Sequence, residues 1–355
     1  GLSPADRAEP IRRTLRRHRN VEVVLGEVTG IAPPRHLVTT AAAQRWRYRK
    51  LVLAPGSKYN YFGHHDWAEA APGLKTINQA RRIRARLLES FERAETSRDP
   101  ADRDAALRVV VIGGGPTGVE MAGAIAELAR WSLARDFRHI DPSRTEVVLL
   151  EAGPRILSAF PEDLATYAVE RLARLGVLVR TGQAVEAVSP DGVTVAGTFL
   201  PARTVVWGAG VRASPLGAML GVELDRIGRV PVGVDLSVLG LSDVHVIGDL
   251  ARREELPGRP LPGLAQVAKQ QGDHLGRHLG RTLATGMPIP PFRFRNRGNT
   301  AVIGRHAAVF DFGRWHLKGR LAWLLWAIVH VYLLVSFEKR LLVSIQWLWR
   351  YLTRE

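Results

Sequence analysis

The sequence contains no cysteine. This absence excludes disulfide bonds, zinc–thiolate sites, iron–sulfur ligation and a redox-active dithiol, and we expect no metal site. Acidic residues are also few beside the basic ones, since 34 Asp and Glu face 50 Lys and Arg and leave a net charge of +16. Such an excess of positive charge favours a polyanionic binding partner, such as nucleic acid, anionic lipid or a phosphate-bearing cofactor.

The start of the chain lacks both an initiator Met and the apolar run of a signal peptide, so a fragment is one expectation. Its length of 355 residues and its 46% apolar content predict two or three structural units with a real core. These values exclude a mainly disordered or collagen-like protein.

Short apolar runs, typical of buried strands, alternate with segments whose apolar residues recur at helical spacing, and this pattern predicts an α/β protein. We predict buried strands at 51–54, 108–112, 147–150, 177–180, 204–207 and 244–247. Helices are predicted at 1–20, 77–95, 116–137, 164–175 and 263–285, with a further strand at 21–25 and a meander over 184–200. The order β-α-β-α-β from residue 108 onward is typical of a nucleotide-binding domain with a parallel sheet.

The segment 113–118 reads Gly-Gly-Gly-Pro-Thr-Gly and satisfies the dinucleotide pattern G-x-G-x-x-G between a buried strand and a helix. Gly113 permits a tight turn, Gly115 lets the backbone approach a pyrophosphate, and Gly118 lets the helix pack closely on the strand. The N-terminus of the helix offers free N–H groups to phosphate. A glycine turn kept only for packing is the alternative.

Glu151 follows the next strand, where an acid can accept the hydroxyl groups of the adenosine ribose. It lies farther from Gly113 than is usual, because the helix between them is long. An acid at this place repels a 2′-phosphate and favours NADH over NADPH, although Arg155 nearby weakens that argument. Glu120 lies just after the loop, where a carboxylate partly opposes phosphate binding. Either a favourable interaction with the helix dipole or a role facing the nicotinamide explains its presence.

Two further strand ends have the character of ligand loops. Gly248 and Asp249 follow one strand, where an Asp can bind a polyol hydroxyl, and Ala54 and Gly56 follow another, where no side chain would obstruct a ligand. Together with the 113–118 loop, they resemble the flavoproteins in which an NAD(P)H domain interrupts an FAD domain. The lack of any Cys-x-x-x-x-Cys argues against the disulfide reductase branch.

The chain resembles the bacterial type II NADH dehydrogenases, the non-pumping NADH:quinone oxidoreductases, over essentially its whole length. The most specific motif is Ala-Gln-Val-Ala-Lys-Gln-Gln-Gly at 265–272, which is similar to the quinone motif of that family. The other segments that carry the resemblance are 2–6, 60–64, 71–76, 115–120, 207–211, Gly248-Asp249 and the tail at 321–326.

The resemblance implies FAD and NADH as cofactors, with hydride passing from NADH to the flavin and two electrons then passing to a membrane quinone. It implies catalytic roles for Glu120, Gln266 and Gln270, the two glutamines facing one side of their helix at i and i+4. The cofactor-binding residues that it implies are Gly113, Gly115, Gly118, Glu151, Gly210, Ala54, Gly56, Gly248, Asp249, Val267 and Ala268.

The resemblance also implies a domain layout. The expected fold has two Rossmann-like three-layer domains and a C-terminal membrane-associated helical segment. Its divisions are a first FAD-binding part at 1–95, an NADH-binding domain at 105–222, a second FAD-binding part at 223–290, and an anchor region at 291–355. The family's N-terminal FAD glycine motif has no counterpart in residues 1–50, so we expect the isolated chain to bind FAD poorly, as a fragment or a decayed copy would.

Residues 321–337 form the longest apolar stretch, about 25 Å as a helix against a hydrocarbon core of about 30 Å. His330 and the flanking Trp and Arg residues favour peripheral, monotopic attachment, implied to be at the cytoplasmic face of a bacterial inner membrane. A true span and a helix pair buried in a homodimer are the alternatives.

Two other functions compete with the flavoenzyme. The first is an NAD-binding module, or an inactive fragment, that has lost flavin binding. The second is a nucleic-acid binder, which the net charge favours but which we do not expect, because the arginines are spread along the chain without a stacking platform.

Overall fold

The structure is a computed structural model that describes residues 10–134, 136–256, 258–333 and 344–345. Its α-helices are α1 (Ile11–Leu15), α2 (Trp67–Ala70), α3 (Ile77–Thr96), α4 (Pro100–Ala106), α5 (Pro116–Glu127), α6 (Glu162–Arg174), α7 (Ala265–Thr285) and α8 (Arg320–Leu333). A π-helical turn, Leu128–Ser132, follows α5. The 3₁₀ turns are Pro33–Arg35, Pro142–Arg144, Pro215–Leu220 and Gly248–Leu250.

The strands are short and numerous, and their order along the chain gives the labels used below. They are β1 (Val28–Ala32), β2 (Leu37–Thr40), β3 (Arg45–Arg47), β4 (Leu51–Leu53), β5 (Ser57–Tyr59), β6 (Arg108–Ile112), β7 (Glu146–Leu150), β8 (Val177–Arg180), β9 (Val185–Ser189), β10 (Gly192–Val195), β11 (Thr198–Pro201), β12 (Thr204–Trp207), β13 (Val211–Ala213), β14 (Val230–Pro231), β15 (Ser237–Val238), β16 (Leu241–Val246), β17 (Ala251–Arg252), β18 (Glu254–Leu256), β19 (Arg259–Pro260), β20 (Asn299–Val302), β21 (Ala308–Asp311) and β22 (His316–Gly319).

The chain divides into two compact units, of which the first comprises Gly1–Thr14, Tyr61–Gly210 and Gly298–Glu355. Its central sheet has the order β12-β6-β7-β8, and all neighbouring strands are parallel. The middle strands are buried on both faces, which explains their unbroken runs of Val, Ile and Leu. Counted along the chain, the spatial order is 3-2-1-4, so the strand order reverses between β6 and β12.

The first unit also carries two antiparallel sheets. Strands β9, β10 and β11 form the predicted meander. Strands β20, β21 and β22 form a sheet near the C-terminus, against which α8 packs through the fully buried Ala322. An aromatic group surrounds Trp207, whose ring lies 4.8 Å from that of Tyr61 and 5.7 Å from that of Trp67. This packing supports the turn that follows β12.

The second unit comprises Leu15–Asn60 and Val211–Arg297, so the first unit interrupts it in sequence. Strand β16 lies between its antiparallel partner β15 and its parallel partner β4. Strands β1, β2 and β3 form a second sheet, and α7 contributes Val267 and Leu275 to the apolar core. The domain boundaries predicted from the sequence, at 95, 105, 222 and 290, stay predictions.

Most of the predicted elements are confirmed, with ends that differ by one to three residues. The predicted helix over 1–20 is wrong within the described residues, where only α1 is helical, because its arginines repel one another and none of its residues is buried. The predicted strand at 21–25 is also wrong, and Leu25 is 91% exposed. Helix α5 ends ten residues before the predicted end, at the π turn. Helix α4, capped by Asp99, lies between the predicted helix at 77–95 and the predicted strand at 108–112.

Candidate functional site

The glycine loop of the first unit lies where the strand order reverses, just beyond the carboxyl end of β6. Gly113 has a φ of +106°, and a Cβ there would lie 2.6 Å from the backbone nitrogen of Ala209. A Cβ on Gly118 would collide with the carbonyl oxygen of Gly113. Both positions therefore require glycine for the turn and for the close contact of helix with strand, as the sequence predicts.

Gly115 differs from these two glycines because a Cβ there would meet no atom within 4 Å. Its backbone is extended, with a φ of −70° and a ψ of 177°, so the conformation does not require glycine. Gly115 is the N-cap of α5, Pro116 follows as the first helical residue, and no side chain of the described residues caps this end. The space and the uncapped N–H groups together form a cradle that fits a pyrophosphate.

Glu151 lies beside this cradle, as the sequence predicts. Its Oε2 accepts a hydrogen bond of 2.6 Å from the backbone N–H of Gly114, and its Oε1 accepts one of 2.7 Å from that of Gly153. A carboxylate oxygen has more than one lone pair, so both oxygens retain the capacity to accept a ribose hydroxyl. The site therefore carries a fixed negative charge at the end of β7.

Arg155 does not reach toward a second phosphate, although its place in the sequence suggests that it could. Its guanidinium donates to the carbonyl oxygens of Ser158 and Phe160, both at 2.8 Å. These two bonds hold the side chain against its own loop.

Glu120 lies in the second turn of α5. Its Oε1 accepts a hydrogen bond of 3.1 Å from the backbone N–H of Val302 in β20. Burial raises the pKa of the Glu120 carboxyl, and the Val302 N–H opposes this rise by stabilising the ionised form. The contact gives Glu120 a structural role that neither sequence explanation anticipates.

In the second unit, the predicted ligand loops meet at one edge of the sheet. Strands β4 and β16 are parallel neighbours, so their carboxyl ends bring residues 54–56 beside Gly248 and Asp249. The Ser57 hydroxyl donates to Asp249 Oδ2 at 2.6 Å, which joins the two loops directly. Gly56 and Gly248 both have a φ of +70°, which supports the choice of glycine at each turn.

The start of α7 completes this edge. No side chain of the described residues caps its N-terminus at Leu264, and Ala268 lies against Gly248, where an added Cβ would approach to 3.3 Å. Val267 is buried in the core beneath. An uncapped helix start, glycine turns and a strand-end Asp fit one part of a second dinucleotide, with the Asp available to polyol hydroxyls.

Two residues at this edge were not identified from the sequence. Ser57 is one, and Gln271 is the other; Gln271 is only 1% exposed, and its Oε1 accepts a hydrogen bond of 2.7 Å from the Gly248 N–H. Gln271 fixes the turn that carries Asp249. Its position beside Gln270 in the 265–272 motif was the available signal, but a pair of adjacent glutamines does not reveal which one points inward.

Gln266 and Gln270 lie on one face of α7, as their spacing predicts, and both contact the segment that follows the helix. Gln270 donates to the carbonyl oxygen of Arg295 at 2.9 Å and accepts from its N–H at 3.0 Å. Gln266 accepts from the N–H of Arg297 at 3.1 Å. Both side chains are half-buried, so this face of α7 presents two oriented neutral amides.

Helix α8 presents an apolar stripe to the outside. Leu321, Leu324 and Ile328 lie at helical spacing and are 68%, 52% and 58% exposed. Trp315, in the turn between β21 and β22, is 78% exposed. No helix within the described ranges has the length and apolarity needed to cross a bilayer. Residues 334–343 and 346–355, including Trp347 and Trp349, lie outside the described residues.

Two family models match the chain. Residues 2–272 match the model described as pyridine nucleotide-disulphide oxidoreductase, and residues 296–354 match the model described as the NDH2 C-terminal domain. The boundary between these matches falls close to Gly298, where the chain returns to the first compact unit.

Curated relatives and solved structures match it as well. The chain is 39% identical to the type II NADH:quinone oxidoreductase Ndh of Mycobacterium tuberculosis, over 98% of this chain and 77% of that protein. It is 40% identical to NdhA of the same organism, over 98% and 76%. The solved structure of NDH2 from Plasmodium falciparum in complex with NADH superposes with a TM-score of 0.87 at 20% identity, over 97% of this chain and 87% of that one, which shows a shared fold.

Proposed function

The chain belongs to the pyridine nucleotide-disulphide oxidoreductases and, within them, to the type II NADH:quinone oxidoreductases, and we propose that its two loop clusters are the binding sites for NADH and FAD. The enzyme oxidises NADH and reduces a quinone. When bound, FAD supplies the two-electron chemistry that links these half-reactions, while the chain binds, orients and tunes the reactants. The alternative of a module that has lost flavin binding is not favoured by the relatives.

The space at Gly115 carries the NADH assignment. The pyrophosphate of NADH would lie against the Gly113–Gly118 backbone and the uncapped start of α5, whose partial positive charge attracts it. Gly210, in the turn after β12, lies across the strand-order reversal from this loop and would border the same crevice.

Glu151 supports a preference for NADH over NADPH. Its carboxylate would accept the ribose hydroxyls of the adenosine half, and the same charge would repel a 2′-phosphate. Because Arg155 is held by two carbonyl oxygens, it offers that phosphate no compensating partner in its present position.

Asp249 would bind hydroxyl groups of the flavin side chain, held in place by Ser57 and by the Gly248 turn that Gln271 fixes. Ala54 and Gly56 leave room for the cofactor at the neighbouring strand end. Val267 and Ala268, at the start of α7, would support the helix N-terminus that faces it.

Gln266 and Gln270 would receive the quinone. Two neutral amides can donate to quinone carbonyl oxygens without bringing a charge into an apolar slot. Their present bonds to Arg295 and Arg297 orient them. Glu120 enters the proposal as a positioning residue, because its observed contact holds α5, the helix that would bind the nicotinamide dinucleotide, rather than the reacting atoms.

The apolar stripe on α8 supports a membrane-associated enzyme that lies on the bilayer. Lys318 and Arg320 lie beside the stripe and suit anionic headgroups. The proposal puts the enzyme on the cytoplasmic face of a bacterial inner membrane, because a charged dinucleotide does not cross a bilayer. The same stripe would serve a homodimer if two copies paired through α8.

Anaerobic half-reactions test the function. NADH should bleach the flavin absorbance of the purified holoenzyme, and a short-chain quinone should then restore it without oxygen. A holoenzyme whose flavin NADH does not bleach, or whose reduced flavin the quinone does not reoxidise, would contradict the proposal.

A further inference from the structure

Four arginines line an open cavity of about 320 Å³ in the second compact unit. They are Arg277 on α7 and Arg293, Arg295 and Arg297 in the segment that follows the helix. The volume is at the lower end of the range of about 300–1,000 Å³ that is usual for small-molecule sites. Gln270 also lines this cavity, but a neutral quinone does not require four cations beside it.

The sequence of this segment explains why its arginines share one side. Residues 292–297 read Phe-Arg-Phe-Arg-Asn-Arg, and in an extended chain alternate residues face opposite ways. Phe292 is only 4% exposed, and its ring lies 5.5 Å from that of His274. Because the phenylalanines face the core, Arg293, Arg295 and Arg297 face outward together.

Hydrogen bonds to fixed partners hold the segment in that conformation. The N–H of Phe292 donates to the carbonyl oxygen of Val234 at 2.7 Å, and that of Phe294 donates to Glu255 at 2.8 Å. Gln270 binds both the N–H and the carbonyl oxygen of Arg295. The arginines are therefore arranged by the backbone rather than carried on a free loop.

Counter-charges for this cluster are few. Asp273 is the one acid among the described lining residues, and its Oδ2 accepts a hydrogen bond of 2.9 Å from Lys269. Within the described part of the chain, none of the four guanidinium groups forms an ion pair. The Nε of Arg277 donates to the carbonyl oxygen of Asp273. This bond does not use the two terminal nitrogens of the guanidinium group.

The charges near this cluster also act on His278. The pKa of His278 is lowered, first by desolvation and then by the charges of His274, Arg281 and Arg277. Like charges gathered on one face repel one another, and an anion bound among them would remove that repulsion. The planar fork of arginine binds two oxygens of a phosphate at once, which makes phosphate the anion that this geometry fits.

We propose that this arginine cavity binds a phosphate group, supplied either by the headgroup of an anionic lipid or by a soluble phosphate compound. The arginines of this cavity belong to the second compact unit, whereas the 113–118 loop belongs to the first. The proposal does not depend on the quinone role of Gln266 and Gln270, since the cations and their arrangement carry it alone.

Pyrophosphate is the soluble probe, titrated calorimetrically into the holoenzyme with saturating NAD⁺ to fill the dinucleotide loop. The cavity variant combines Arg293→Gln, Arg295→Gln and Arg297→Gln. The matched control combines Arg16→Gln, Arg17→Gln and Arg19→Gln, which remove the same charge from exposed positions that do not line the cavity. Thermal unfolding checks that both variants remain folded.

We expect the cavity variant to bind pyrophosphate at least about tenfold more weakly, and the control to change by less than about twofold. The second arm measures cosedimentation with phosphatidylcholine vesicles that do or do not contain phosphatidylglycerol. Loss of binding to anionic vesicles by the cavity variant beyond that of the control identifies a lipid headgroup. Loss confined to pyrophosphate identifies a soluble ligand. Equal losses by both variants, or no difference with either probe, would overturn the site.

Discussion

Glu120 Oε1 accepts a hydrogen bond from the backbone N–H of Val302, with 3.1 Å between the two atoms. Glu120 lies on α5, the helix that begins at the glycine loop, and Val302 ends strand β20. Two turns farther along α5, Glu127 accepts a hydrogen bond from the Arg305 N–H in the same way. Two carboxyl groups on one side of α5 thus join the dinucleotide helix to the C-terminal sheet, and both have a pKa raised by burial.

Glu120→Gln tests this contact through pH dependence. The pKa of the folded state is raised above that of the unfolded chain, so the folded state binds more protons, and stability falls as pH rises from the unfolded pKa through the folded pKa. Gln keeps an oxygen for Val302 but has no proton to lose. We expect the variant to be the more stable form at pH 7, with the difference disappearing below the unfolded pKa.

Urea unfolding of both proteins across this pH range measures the difference. Glu120→Leu is the companion variant, and it should lose about 1 kcal/mol because the partly buried Val302 N–H would lose this acceptor. Stability curves of wild type and Glu120→Gln that run parallel at every pH would show that the carboxyl does not titrate in this setting.

Substitutions at Gly115 and Gly118 should have separate effects on NADH binding and on folding, although both residues lie in one loop. Gly115→Val adds a side chain to open space in an extended conformation, so the fold should survive, whereas the pyrophosphate would lose its place. We expect NADH affinity to fall at least about tenfold with little change in melting temperature. Gly118→Ala should instead lower the melting temperature, because its Cβ would collide with the Gly113 carbonyl. Unchanged NADH affinity in Gly115→Val would remove the cradle assignment.

The glycine loop, the parallel sheet and the two strand-end loops could be predicted because each leaves a local pattern in the chain. Runs such as Val109–Ile112 that end in glycine specify a buried strand and its turn without reference to distant residues. The bonds from Glu120 to Val302 and from Gln271 to Gly248 leave no such pattern, since they join residues far apart in sequence. The strand predicted at 21–25 failed for a related reason, because β-propensity does not supply a partner strand.

Glu151→Gln should change the choice between the two nicotinamide cofactors. The amide oxygen can still accept from the Gly114 N–H, but the charge that repels a 2′-phosphate is gone. We expect the ratio of kcat/KM for NADPH to that for NADH to rise about tenfold. Glu162→Gln, at an exposed acid that begins α6, is the control and should leave the ratio unchanged. An unmoved ratio in Glu151→Gln would show that this carboxylate does not read the ribose.

Gln266→Leu should separate the two half-reactions. Gln266 bonds to Asn296 and to the N–H of Arg297 in the segment that follows its helix, and we expect flavin reduction by NADH to proceed at the rate of the wild-type enzyme. Reoxidation by quinone should slow about tenfold, the loss expected for one hydrogen bond to a carbonyl oxygen. Stopped-flow absorbance follows both steps, and Arg281→Gln on the same helix serves as control. Equal quinone rates in variant and wild type would end the proposed role of this amide.

The exposed stripe on α8 distinguishes membrane attachment from dimerisation. Leu324→Glu combined with Ile328→Glu places two charges where the helix would enter the interface, and both side chains are more than half exposed, so folding should be unaffected. We expect binding to anionic vesicles to fall at least about tenfold, while Leu283→Glu on α7 binds normally. Light scattering without lipid measures the particle mass of both proteins. If the double variant has half the mass of the wild type and still binds vesicles, membrane attachment through the stripe is contradicted. The stripe would then join two copies of the chain, and another surface would contact the membrane.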